Sequence, residues 1–184
     1  MKSKLFLISI LALFVISSCS QNEEAFRLTS EESIDAKDPE GCETAYGFFK
    51  EGCFNNDGFN RWGWVIGPIS APHTESYPLY AGAGKCMTVK GDLVGTLSIN
   101  YMDDYIEVEY EALDEYMFIE SHLYVGNDKY PQSPNGQYTV APGQYGNSQS
   151  DSEGTGYMSY KIDDVSGELY VIAHAVVCPK KPKG

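Results

Sequence analysis

The chain has 184 residues, 42% hydrophobic and 13% aromatic, with 13 Lys and Arg against 26 Asp and Glu, a formal net charge of -13. That apolar content excludes a chain disordered throughout, and the length fits one folded domain with a tail rather than two. The acidic balance excludes nucleic acid as a partner, because phosphate recognition needs a basic footprint that is missing here.

The N-terminus reads as a targeting segment. Lys2 and Lys4 precede an apolar run from Leu5 to Ile16, broken by Ser9 and followed by Ser17, Ser18 and Cys19. A basic start, a short apolar stretch and small residues before a cut site describe a secretory signal peptide over residues 1–18. The run falls short of the roughly 20 residues that span a bilayer. Ile16-Ser17-Ser18-Cys19 resembles a bacterial lipobox, which implies lipidation of Cys19 and membrane lipid as a partner through the acylated N-terminus. The following Ser20-Gln21-Asn22-Glu23-Glu24 is similar to the acidic export signals of Bacteroidetes lipoproteins, which implies the outer face of the outer membrane. Residues 19–41 are polar and acidic, too poor in apolar surface to offset the entropy of ordering, and read as a tether. As a flexible coil its length would average roughly 25 Å. Residues 179–184 read as a short basic tail, which leaves a folded domain from 42 to 178.

Within the domain the apolar period is two. Leu97-Ser98-Ile99-Asn100-Tyr101 alternates, and after Asp103-Asp104 so does Ile106-Glu107-Val108-Glu109-Tyr110-Glu111, which predicts a hairpin. Leu97, Ile99, Tyr101, Ile106, Val108 and Tyr110 then share the core face. Thr96, Ser98 and Asn100 share the wet face with Glu107, Glu109 and Glu111. Further strands are expected at Ala45 to Phe49, Arg61 to Ile66, Tyr77 to Ala81, Tyr116 to Val125, Tyr138 to Val140, Gly156 to Ile162 and Leu169 to Cys178. The last is apolar on both faces and therefore central. Turns fall at Asn55-Asn56-Asp57-Gly58, Pro134-Asn135-Gly136 and Asp163 to Gly167. The fold expected is all-β, an antiparallel β-sandwich of jelly-roll or Ig-like type with about eight or nine short strands.

Apart from Cys19 the chain holds Cys42, Cys53, Cys86 and Cys178, and an even count in an exported domain favours disulfides. Cys42–Cys53 with Cys86–Cys178 is the preferred pairing, one bond closing a local loop and the other tying the final strand back. Zinc is the competing reading, but no CxxC pair is present and the spacings are irregular. Of the histidines His73, His122 and His174, the last two fall on expected strands and could be adjacent. They read either as hydrogen-bonded sheet residues or as a metal site or catalytic base. No nucleophile elbow and no HExxH occurs, so no catalytic and no metal-binding residue is assigned.

Glu107, Glu109 and Glu111 project from one strand at roughly 7 Å intervals. They could serve glycoside hydrolysis, or form a solvated face that discourages edge pairing. Asp103-Asp104, Asn127-Asp128 and Asp163-Asp164 place hard oxygens in turns, which makes calcium a possible cofactor, although none has EF-hand spacing. Along the strand from Tyr116 to Val125, Met117, Ile119, Leu123 and Val125 are expected inward, with Tyr116, Phe118, His122 and Tyr124 opposite. Flat rings with polar rims at Tyr116, Phe118 and Tyr124, or at Trp62 and Trp64 beside Arg61, suit a glycan or a protein surface if exposed and a core if covered.

Five stretches together resemble a domain that recurs in secreted and surface proteins of Bacteroidetes. They are Asn60-Arg61-Trp62-Gly63-Trp64, Leu79 to Cys86, His122-Leu123-Tyr124-Val125-Gly126, Val140-Ala141-Pro142-Gly143-Gln144-Tyr145, and Tyr170 to Cys178. The resemblance covers nearly all of 42–178 and implies an exported, β-rich surface domain; it brings no catalytic residue with it. The expectation is a surface-exposed outer-membrane lipoprotein that binds glycan or a surface protein without catalysis. The alternatives are a glycan-active hydrolase using the strand glutamates and a structural component of the envelope or matrix.

Overall fold

The computed structural model describes residues 41–180. The signal sequence, Cys19, the tether up to residue 40 and residues 181–184 lie outside the described residues.

The hairpin forms as its alternation requires. β4 (Asp92–Tyr101) and β5 (Tyr105–Ala112) pair with Leu97 opposite Tyr110, Ile99 opposite Val108 and Tyr101 opposite Ile106. All six are fully buried, while Glu109 and Glu111 face solvent. The Met102 amide donates to Tyr105 O at 2.9 Å, closing the turn over Asp103-Asp104. A strand with one wet face has only one register that keeps its apolar set dry.

The other strands are β1 (Glu43–Gly47), β2 (Ile66–Ile69), β3 (His73–Ala81), β6 (Tyr116–Gly126), β7 (Asn147–Thr155), β8 (Tyr157–Asp163) and β9 (Leu169–Pro179). The fold is all-β and antiparallel, with nine strands in one sheet of order β7-β6-β9-β1-β3-β4-β5-β8, and β2 added beside β9. The sheet curls until its ends face each other, so that the two layers expected of a sandwich are the halves of one continuous, barrel-like sheet. Tyr160 OH of β8 meets Ser121 Oγ of β6 at 2.7 Å, and Gln149 of β7 donates to Ser159 O of β8. β9 is central, as its two apolar faces require: it pairs with β6, β1 and β2. Leu169, Val171, Ala173, Ala175 and Val177 face the barrel interior, and Ile172 packs on the other side.

Four local features depart from the sequence reading. The stretch from Arg61 to Ile66 is not a strand: β2 begins only at Ile66, after an isolated bridge between Trp64 and Cys53. β7 has no apolar residue and no period; it forms because the edge of β6 offers it a ladder, and both its faces are largely wet. Tyr138 to Val140 is not a strand but a loop, held by a single bridge between Tyr138 and Gln132. β6 carries a bulge: Phe118 pairs with Val177 and Glu120 with Val176, so Ile119 is left without a partner. The extra residue reverses the phase of everything before it. Tyr116 and Phe118 therefore face the same interior as Ser121, Leu123 and Val125, and Phe118 is fully buried.

All four domain cysteines form disulfides, but their pairing corrects the one expected. Cys42 bonds Cys178, and Cys53 bonds Cys86. Glu43 lies opposite Val177, so the register of β1 on β9 sets Cys42 beside Cys178, which loop lengths in sequence cannot reveal. The bonds close stretches of 136 and 33 residues. Loop-closure entropy then makes the longer link worth about 5 kcal/mol and the shorter about 4 kcal/mol. Replacing Cys42 and Cys178 together by Ser should cost the larger amount in urea unfolding, and a non-reduced digest should yield Cys42 joined to Cys178 and Cys53 joined to Cys86.

Candidate functional site

The outer face of β1, β9 and β6 is apolar and is covered by loops. Tyr46 of β1, Phe48 just after it, Tyr124 of β6 and Ile172 of β9 point outward into a second apolar cluster with Phe54, Trp64, Val65, Tyr130, Val140 and Tyr145. Rings meet edge to face throughout: Tyr46 with Trp62 at 5.3 Å, Phe48 with Trp64 at 5.1 Å, Trp62 with Trp64 at 5.8 Å, and Phe59 with Tyr130 at 4.7 Å. Each such pair adds roughly 0.5–1.5 kcal/mol beyond its buried area.

Three ties hold this layer in place. The loop from 52 to 65 folds back through the Val65 amide on Gly52 O (2.9 Å) and the Phe54 amide on Gly63 O (3.0 Å). Gly63, between the tryptophans, has φ 142°, and a Cβ there would lie 2.4 Å from the Phe54 ring, so no other residue fits. The Cys53–Cys86 bond staples this loop to the segment after β3. Asp57, at the end of the 3₁₀ turn Phe54–Asp57, accepts from Lys129 Nζ at 2.8 Å and from Tyr130 OH at 2.7 Å, joining it to the segment after β6. Those donors, Lys129 first, hold the Asp57 carboxyl below its ordinary range, whereas burial and then Asp57 push the Tyr130 phenol far up.

Where two of these loops meet, a shallow open cleft of about 300 Å³ lies between Phe59–Arg61 and Tyr138–Ala141. Tyr138 is 54% exposed, Arg61 and Asn60 are exposed, and Phe59 is half-buried. Among the described residues Arg61 is the sole arginine, and no carboxylate lies within ion-pair distance of it. Thr139 Oγ1 accepts from the Ala141 amide at 3.1 Å, which leaves its hydroxyl proton free to be donated. The Tyr145 hydroxyl donates to Val140 O at 2.9 Å and fixes the cleft's rear wall.

The aromatic residues singled out in sequence do not form one open face. Trp64 and Phe118 are buried; Trp62, Tyr116 and Tyr124 are half-buried, with Tyr116 directed into the barrel and Tyr124 into the outer layer. The Tyr124 hydroxyl donates to Asp128 O, and burial is the main cause that raises it to about 12. Trp62 and Trp64 pack into the outer aromatic layer and do not line the cleft. The strand glutamates stand on the barrel's exposed face, away from the cleft lining: Asn100 donates to Glu107 at 3.3 Å and Tyr157 OH to Glu109 at 2.6 Å. Among the described residues no group of three or more His, Cys, Asp or Glu is arranged to hold a metal ion. Asn127, one of the hard-oxygen candidates, turns its amide the other way and donates to Ser166 O and Glu168 O. Tyr138 and the Asp57–Lys129–Tyr130 clasp were not singled out, because their partners lie far apart in the chain and no spacing announces them.

His122 and His174 do become neighbours, directly opposite across β6 and β9 with ring centroids 5.4 Å apart. Glu120 Oε1 lies 2.6 Å from His122 Nε2, whereas the buried His174 Nδ1 has no hydrogen-bond partner among the described residues. On its other side His174 packs against Tyr46 at 5.0 Å. Loss of water, and then the nearby His122, push His174 down to about 3 from 6.5. An unfolded chain would take up a proton near 6.5 that the fold refuses until about 3. Stability is therefore full above pH 6.5 and falls as pH drops toward 3, at about 1.4 kcal/mol per pH unit. Urea unfolding at pH 7 and pH 5 should differ by about 2 kcal/mol, and His174→Phe should remove most of that difference while carboxylates stay ionised.

No protein-family model, curated protein or solved structure matches this chain.

Proposed function

We propose that this chain is an exported lipoprotein, held through Cys19 at the outer face of a bacterial outer membrane, whose folded domain binds glycan without transforming it. The observation that carries the binding reading is the cleft between Phe59–Arg61 and Tyr138–Ala141. It sets an exposed phenol ring beside an amide, a guanidinium and a free hydroxyl proton, the pairing of flat apolar face and polar rim that a sugar ring presents in return. Its walls are tied by the Cys53–Cys86 bond and the Asp57 clasp, so a ligand would meet a formed site and little ordering entropy would be lost on binding. Glycan is favoured over a protein partner by size: about 300 Å³ suits one or two sugar rings, whereas a stable protein interface covers about 800 Å² on each side. The hydrolase alternative has less support, because Glu107, Glu109 and Glu111 do not line the cleft.

The membrane part of the proposal rests on the lipobox resemblance and the acidic residues after it. Among the described residues no helix is long and apolar enough to cross a membrane. Cys19→Ser should abolish labelling by a palmitate analogue and release the protein to the aqueous phase on detergent partition. Tyr138→Ala should weaken retention on the best-bound member of a polysaccharide panel by about tenfold, the loss of one stacking contact near 1.4 kcal/mol, with an unchanged melting temperature. Retention equal to the parent's would remove the cleft from the proposal.

A further inference from the structure

We infer that the cleft selects an acidic sugar, a hexuronate within a glycan, and that Arg61 reads its carboxylate. This rests on the glycan reading above and narrows it.

The argument begins with charge that is not cancelled. Asp57, in the same loop as Arg61, is the acidic group to hand, yet it is already held by Lys129 and Tyr130. Arg61 is left exposed at the cleft with no carboxylate in reach among the described residues. A guanidinium is a planar fork that takes a carboxylate through two parallel N–H bonds, which a lysine cannot do. Its neighbours complete the match to a sugar rather than to a simple anion. The Tyr138 ring offers a face for the C–H side of a pyranose. The Asn60 amide makes no hydrogen bond among the described residues, and Thr139 has its hydroxyl proton to donate, so ring hydroxyls would find both kinds of partner.

The rest of the surface decides which anions are admitted. A chain of net charge -13 repels a densely charged polyanion at long range. At physiological salt that repulsion is screened beyond about 8 Å, while a contact pair at Arg61 survives. The domain is thereby expected to take hyaluronan, with a carboxylate on every second ring, ahead of oligogalacturonate and oligoguluronate, with one on every ring. An acidic peptide carries its carboxylates on flexible stems and has no rigid apolar face for Tyr138, so it fits less well.

The test titrates the purified full chain with oligosaccharides of galacturonate, of guluronate and of hyaluronan. Controls are methyl-esterified oligogalacturonate, a neutral cello-oligosaccharide and a Glu-rich peptide. At least one uronate is expected to bind about tenfold or more tightly than the neutral controls, and R61Q to erase that gap. R61K should recover only part of it, and Tyr138→Ala should weaken charged and neutral ligands alike. The Arg61 side chain has no ion-pair partner among the described residues, so R61Q should keep the parent's melting temperature. Neutral sugars bound as tightly as uronates, with R61Q silent, would overturn the acidic selectivity and leave the glycan reading standing. Binding of no oligosaccharide, or tighter capture of the peptide, would overturn both.

Discussion

β9 is apolar on both faces, and the domain is arranged around that constraint. One face, Leu169 through Val177 at every second residue, is buried by the curling sheet itself. The other, with Tyr170, Ile172 and His174, cannot be left in water without losing roughly 25 cal/mol for each Å² exposed. No α-helix is present among the described residues to cover it, so three loop segments do so with rings. Loops make an unpromising second layer, because their backbone groups need partners and their entropy resists ordering. The disulfide, the Asp57 clasp and the glycine at the Trp-Gly-Trp turn each remove some of that freedom. The cleft exists because two such loops meet edge to edge without fully closing.

What was legible in the sequence follows from this architecture. β4 and β5 were readable because each has a wet face and a dry face, so the residues alternate. β9 was readable as central because neither face is polar. β7 was hidden, since an edge strand made of Asn, Ser, Gln, Asp, Glu, Gly and Thr leaves no apolar pattern to count. The bulge at Ile119 was hidden for another reason. Alternation can be counted only within an unbroken ladder, and one unpaired residue sends Phe118 to the barrel core while Tyr124 stays on the outer layer.

The site was legible only in fragments. Arg61, Trp62 and Trp64 attracted notice as an aromatic group with a cation, but the part played by each could not be read from adjacency. Gly63 throws the chain into a left-handed bend, so neighbouring tryptophans are packed while the arginine before them stays wet. Tyr138 looked like the start of a strand and is instead an exposed loop residue. Each of the five stretches 60–64, 79–86, 122–126, 140–145 and 170–178 places a residue in the outer aromatic layer: Trp64, Tyr80, Tyr124, Tyr145 and Ile172 among them. Their common property in this molecule is the packing of that layer, and the cleft residues Tyr138 and Thr139 fall outside them.

The bond between Cys42 and Cys178 has a mechanical consequence. β1 begins one residue after Cys42, so tension arriving along the preceding chain would otherwise peel β1 from β9 one hydrogen bond at a time, the weakest way to load a ladder. With the first cysteine fastened to the strand at the centre of the sheet, that tension passes into β9 and is shared at once with β6 and the rest of β1. Were the domain moored through the chain before Cys42, as proposed, it could be dragged by a bound ligand without unravelling from its point of attachment.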